Sequence, residues 1–242
     1  MTTPCSHSFT HAVTRTPANS VTSGLRAVDR GAQVTVLDPL EAFPDSVFVE
    51  DAALCLAGTA IALRPGAPTR RGETAVLRPT LETMLGEVLE LSGEGFVDGG
   101  DVLVTEDEVL VGLSARTDLA GFDALAAVVT DLGYRARKVD TPPEVLHFKT
   151  ECGLLDPQTI FASARLAATG CFANYRVLPA PDGEEAASNL IRFNDTVFIN
   201  EGFPRTRELL DAEGYKVVAL ATSEAARVDA GLSCMSLRFS PG

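Results

Sequence analysis

Two stretches of this sequence set acidic residues at the edges of short apolar runs, where a carboxylate faces a loop instead of a core. FPDSVFVED carries Asp45, Glu50 and Asp51, and FVDGGDVL carries Asp98 and Asp101 around a Gly-Gly pair that lets the backbone approach a ligand or take a positive φ. A third stretch, LHFKTECG, carries His147 at a junction between loop and strand. Carboxylates clustered in an apolar frame are costly unless they meet a cation, hydrogen-bond donors or a metal. A guanidinium satisfies them, because its planar fork of N–H donors matches carboxylate oxygens. Magnesium or calcium is the rival explanation, but those ions want more oxygen ligands, and neither motif has a DxDxDG-like loop. Turn and cap duty is the bland alternative for any one of these motifs taken alone.

A nucleophile would have to come from the five cysteines, Cys5, Cys55, Cys152, Cys171 and Cys234. A free cysteine is usually a small buried hydrophobe. Cys55, in the middle of the run ALCLAG, and Cys171, after a short helix, read as packing. Cys152 neighbours the His147 loop. Cys234 stands in VDAGLSCMSLRF, after a Gly-containing stretch and at the entry of the last apolar strand, where substrate could reach it and a neighbouring charge could activate it. Of the three histidines, His7 and His11 belong to the N-terminal tail and first strand and read as hydrogen-bonded or solvated. A lone histidine after the apolar pair Val145–Leu146 is itself more often structural than catalytic.

The elements that must position these groups share one grammar. Apolar strand, polar turn and returning strand recur at 51–64, 100–113, 153–163 and 189–200, each reading as a β-hairpin. Helical faces lie between them. Leu81, Met84, Leu85, Val88 and Leu89 form one; Leu119, Phe122, Leu125, Ala126, Val129 and Leu132 form a second; a third runs from Arg205 to Glu213 and stops at Gly214. Further strands follow at 136–141 and 216–221. The order hairpin, helix, strand, counted from Ala52, Val102, Leu154 and Leu190, predicts modules stacked about a common axis, so that loops distant in sequence converge at one end. An ordinary mixed α/β sheet is the alternative.

With 242 residues and 45% of them apolar, the chain can bury a full core as one large domain or two small ones. Lys and Arg number 20 against 33 Asp and Glu, a formal charge of -13 that repels phosphate backbones and anionic lipid and mildly favours a cationic small molecule. The opening residues lack a basic start followed by an apolar run, and no long apolar span occurs, so a soluble, cytoplasmic protein is expected, with no nucleic-acid or membrane partner. Cysteines that are odd in number, far apart and free of CxxC pairs point to reduced thiols, not to a disulfide framework or structural zinc.

Together, FPDSVFVED, RPGAPTRR, DGGDVL, VGLSART, LHFKT and VDAGLSCMS, in this order, resemble the dimethylarginine dimethylaminohydrolases over nearly the whole chain, from about Thr10 to Leu237. FVED and HFKT favour that branch over the arginine deiminases. The resemblance implies a single α/β domain over 1–242, a five-bladed α/β propeller of ββαβ modules about a pseudo-five-fold axis. It further implies Cys234 as nucleophile, His147 as general acid and base, and Asp98 as the carboxylate that orients the histidine. Glu50 and Asp51 would hold a guanidinium and Arg70 and Arg116 would clamp the substrate α-carboxylate. Asp45, with backbone carbonyls near Leu25 and Val228, would take the α-ammonium.

The implied reaction converts dimethylarginine or monomethylarginine to citrulline through a covalent thiouronium. It needs no cofactor; zinc at Cys234 would be an inhibitor. A monomer or homodimer is expected. An arginine deiminase-like or other guanidino hydrolase is the enzymatic alternative. A non-catalytic sensor of cationic amino acids is the other, disfavoured by an intact Cys234, His147 and Asp98. One departure concerns the first module, where only Arg26 to Gly31 spans the interval that holds a helix of several turns in the family. A segment absent between these residues is favoured over a genuine deletion, because a module stripped of its helix is left uncovered.

Overall fold

The computed structural model describes residues 8–17, 32–222 and 231–241. Leu25, Val228, Cys5, His7 and the Arg26–Gly31 connection lie outside the described residues. Among the described residues, fifteen strands form five separate three-stranded sheets. Four modules run in chain order. Strands β3 (Ala53–Leu56), β4 (Thr59–Ala62) and β5 (Val88–Glu90) form one sheet, and β6 (Val102–Val104), β7 (Glu108–Leu113) and β8 (Arg135–Asp140) the next. They are followed by β9 (Cys152–Asp156), β10 (Thr159–Ala162) and β11 (Arg176–Pro179), then by β12 (Ile191–Phe193), β13 (Thr196–Asn200) and β14 (Lys216–Leu220). In each, the first two strands pair as an antiparallel hairpin and the third joins the second in parallel. A parallel pair needs a crossover, which α1 (Glu73–Leu85), α2 (Leu119–Asp131), α3 (Ala164–Ala167) and α4 (Pro204–Ala212) supply.

The fifth sheet takes strands from both ends of the chain. β15 (Leu237–Phe239) pairs antiparallel with β1 (His11–Arg15), which pairs in parallel with β2 (Gln33–Leu37). The first strands of all five sheets, through residues such as Leu54, Leu103, Leu154, Ile191 and Leu237, line one central cavity of about 150 Å³. The five-module architecture is therefore present, in place of a single mixed sheet. The connection between β1 and β2 is long enough for a parallel crossover, which takes roughly a dozen residues or more.

Side chains from neighbouring elements fill the spaces around the ring. Leu77 and Leu81 of α1 pack on Ala60, Ala62 and Val88, while Leu125 and Val129 of α2 cover Val109 and Val111. One boundary differs from the sequence reading. The apolar face assigned to the first helix included Val88 and Leu89, but the helix stops at Leu85, where Gly86 takes φ +81°, and those two residues belong to β5. The left-handed glycine ends the helix in a single residue, so the apolar run continues across the break and hides it. Among the described residues no helix is long and apolar enough to cross a membrane.

Candidate active site

Four short 3-10 turns, each at the entry to an inner strand, converge at one place. Val49–Ala52 packs against both Ser233–Met235 and Gly99–Asp101, and Gly99–Asp101 packs against Phe148–Thr150. The Gly-Gly pair permits this. A Cβ on Gly99 would stand 1.9 Å from the Glu50 carbonyl oxygen, and one on Gly100 would stand 2.8 Å from the His147 ring. Glu50, Asp51, Asp98, Asp101, His147 and Cys234, brought from four modules, thus share one neighbourhood.

His147 Nε2 lies 3.0 Å from Asp98 Oδ2. Asp98 is wholly buried; its Oδ1 accepts the Gly66 N–H at 2.7 Å, which ties in the RPGAPTRR loop. Asp101 holds the histidine turn, accepting the Phe148 N–H at 2.8 Å and the hydroxyls of Ser114 and Thr117 at 2.6 and 2.7 Å. The VGLSART motif therefore serves both aspartates, since Thr117 Oγ1 also accepts the Asp98 N–H at 3.1 Å. Burial pulls the His147 pKa down, but Asp51, Asp98 and Asp101 outweigh it and raise it to about 9. The imidazole is thus protonated at neutral pH. Burial raises the Asp101 carboxyl above the usual range despite its hydrogen bonds.

Asp51 accepts the Gly100 N–H at 2.8 Å through Oδ1 and Arg70 Nη1 at 2.5 Å through Oδ2. Burial opposes its charge, yet His147, Arg70 and that N–H hold its carboxyl below the ordinary value. Arg70 is the residue expected, with Arg116, to clamp a substrate α-carboxylate. Its Nε and Nη2 donate to Glu73 at 2.9 and 2.6 Å, Nη2 also reaches the Phe48 carbonyl at 2.9 Å, and the side chain is buried. Four donor contacts are committed to the protein. Here Arg70 is the counter-charge of Asp51 and Glu73, and it could meet a substrate carboxylate only by giving up part of this fork. Arg116, half-buried between β7 and α2, has no ion-pair partner among the described residues, and Asp45 is exposed on the turn Pro44–Val47.

Glu50 behaves differently. One oxygen meets Lys149 Nζ at 2.6 Å and Arg238 Nη2 at 2.9 Å, while Oε2 is buried with no hydrogen-bond partner. Cys234 is half-buried in the turn Ser233–Met235, and its thiol pKa is pushed up to about 12, first by burial and then by Glu50 and Asp51. Lys149 and Arg238 were not singled out in the sequence, although the need of a buried Glu50 for a cation was a usable signal. Cys55, Cys152 and Cys171 are free thiols, each raised by burial; Cys152 donates to the Phe148 carbonyl at 3.4 Å and Cys171 to Leu166 at 3.7 Å. His11 stacks on Phe239 at 5.6 Å, a packing role. Asp51, Asp98 and His147 present ligand atoms within 4.8 Å of one another, a spacing that could hold a metal, but all four carboxylate oxygens and His147 Nε2 already have protein partners.

The arginine deiminase family model matches residues 7–197. Dimethylarginine dimethylaminohydrolase of Pseudomonas aeruginosa is 35% identical over 96% of this chain and 100% of its own length. This chain belongs to the dimethylarginine dimethylaminohydrolase family. The enzyme of that name from Streptomyces coelicolor is 33% identical, covering 86% of this chain and 80% of its own. The Pseudomonas aeruginosa family member, solved as a cysteine-to-serine variant complexed with citrulline, superposes with a TM-score of 0.89 at 33% identity, over 96% of this chain and all of that one. The five-module fold of this family is the fold described above.

Proposed function

We propose that this chain hydrolyses dimethylarginine, and monomethylarginine, to citrulline and the corresponding amine through a covalent intermediate on Cys234. The observation that carries the reading is the unpartnered, buried Glu50 Oε2 beside Asp51 and a protonated thiol, an acceptor suited to a guanidinium. Family membership supports the same chemistry. At rest the carboxylates of Glu50 and Asp51 keep the thiol protonated. A guanidinium bound on them offsets their charge, the thiol proton leaves to solvent, and the thiolate attacks the guanidinium carbon. His147, held protonated by its three aspartates, gives its proton to the departing dimethylamine. The neutral imidazole then takes a proton from water attacking the thiouronium, and citrulline and the thiol are released.

Asp98 keeps the imidazole oriented through both steps. Arg116 takes the α-carboxylate and Asp45 the α-ammonium, with carbonyls near Leu25 and Val228 completing that end. No cofactor enters these steps, and zinc would act only by occupying the thiolate. Free thiols throughout the described chain suit a reducing, cytoplasmic setting.

The test follows citrulline from dimethylarginine, monomethylarginine and arginine. Methylated substrates are expected to be preferred, and Cys234→Ser to lose at least roughly a thousandfold in kcat. Full turnover by that variant would exclude the mechanism, and preference for arginine would move the activity to a deiminase. The pocket volume that separates these substrates amounts to one or two methyl groups, worth about 1–3 kcal/mol.

A further inference from the structure

Asn189 takes no part in the chemistry above, yet it joins the two turns that do. Its carboxamide oxygen accepts the Ser233 N–H at 3.0 Å, one residue before the thiol, and its Nδ2 donates to the Lys149 carbonyl at 3.1 Å, two residues after His147. The side chain is 5% exposed. Gly231 leaves room for it, since a Cβ there would stand 2.1 Å from the Asn189 Cγ. The far side of the thiol turn is anchored by Arg238, whose Nη1 donates to the Ser233 carbonyl at 3.2 Å and whose Nη2 meets Glu50. The second link between the turns, Lys149 to Glu50 to Arg238, is ionic and ends on a carboxylate assigned to substrate. The amide bracket uses no group assigned to substrate.

We infer that Asn189 is a positioning residue, which fixes the distance and register between the Cys234 turn and the His147 turn. This rests on the proposed roles of those two residues. A carboxamide suits the task because one oxygen accepts and one nitrogen donates in a rigid plane, and neither titrates. Asp supplies the same shape, but its ionised form opposes the Lys149 carbonyl with a second acceptor; only its protonated form restores the donor.

The experiment compares Asn189→Asp and Asn189→Ala with the unaltered protein. Asn189→Ala is expected to lose roughly 10–100-fold in kcat, the scale of a misplacement near 1 Å, with KM within about twofold. Asn189→Asp is expected to show a similar loss at pH 8 and to regain activity relative to the unaltered protein as pH falls towards 5. The charged groups around the bracket, Glu50, Lys149, Arg238 and the thiol, are common to both variants, so the difference between them reports position 189.

Equal losses at every pH, a loss confined to KM, or no loss would overturn the inference. Should Asn189→Ala fail to fold, Gly231→Ala, which presses on the carboxamide while leaving every hydrogen-bonding group in place, is expected to reproduce the kcat loss; unchanged kcat there would count against it. One readout needs no substrate. Iodoacetamide labelling of Cys234, read by mass at that peptide, should quicken several-fold in Asn189→Ala because the turn is released, and an unchanged rate would overturn the bracket. Turnover by the unaltered protein tests the parent reading separately.

Discussion

The two halves of the site differ in how completely their polar atoms are satisfied. On the histidine side, both oxygens of Asp98, both of Asp51, both of Asp101 and most donors of Arg70 have partners inside the protein. On the thiol side, Glu50 Oε2 and the hydroxyl of Ser233 are buried without one, and the thiol is pushed far from ionisation. Buried orphans are costly, so Glu50 Oε2 stands out as a buried acceptor that the fold leaves free, while the oxygens of Asp98, Asp51 and Asp101 are preassembled. One half holds still; the other waits.

That contrast can be broken by substitution. Arg70→Met removes the counter-charge of Asp51 and Glu73 and should cost about 3–5 kcal/mol of stability, because it strands buried carboxylates. Denaturant unfolding measures it, and a loss below about 1 kcal/mol would show that the histidine side is not a preassembled ion network.

The next effect is a pH dependence. Relative to its ordinary 6.5, the folded pKa of His147 is raised to about 9 by carboxylates that overcome burial. The resulting stabilisation, roughly 3 kcal/mol, is fully present below about pH 6.5 and lost as pH rises through 9. A fall in unfolding midpoint across that window, flattened in His147→Ala, is expected.

On the thiol side, Glu50→Gln removes a charge that holds the thiol protonated. Alkylation of Cys234 at pH 8 should then speed up by a factor of about three to ten, with the pH profile displaced to lower values. Smallest of all, Ser233→Ala deletes an orphan hydroxyl and should alter stability by less than about 0.5 kcal/mol or raise it slightly. A large loss there would mean that the hydroxyl has a partner and the contrast is overdrawn.

Much of this arrangement is legible in the sequence, because its causes are local. Hairpins announce themselves by apolar runs around polar turns, and Gly99–Gly100 by the need for close approach. His147, Asp98, Glu50, Asp51 and Cys234 are each carried by an ordered motif. What escapes is settled between modules. Arg70 is visible in RPGAPTRR, but its commitment to Asp51 and Glu73 depends on how that loop meets the turn Val49–Ala52. Asn189 looks like any loop asparagine until Ser233 and Lys149 arrive on either side of it. Gly86 conceals the end of α1 because the apolar residues resume in β5 just beyond it.

The sheet assembled from β15, β1 and β2 also orders events during synthesis. Its first-made strands wait for a partner that leaves the ribosome after all four other modules, and Cys234 emerges just ahead of that partner. A nascent chain can therefore make its histidine and carboxylate turns before Cys234, and it gains that thiol together with the strand that completes the fifth sheet.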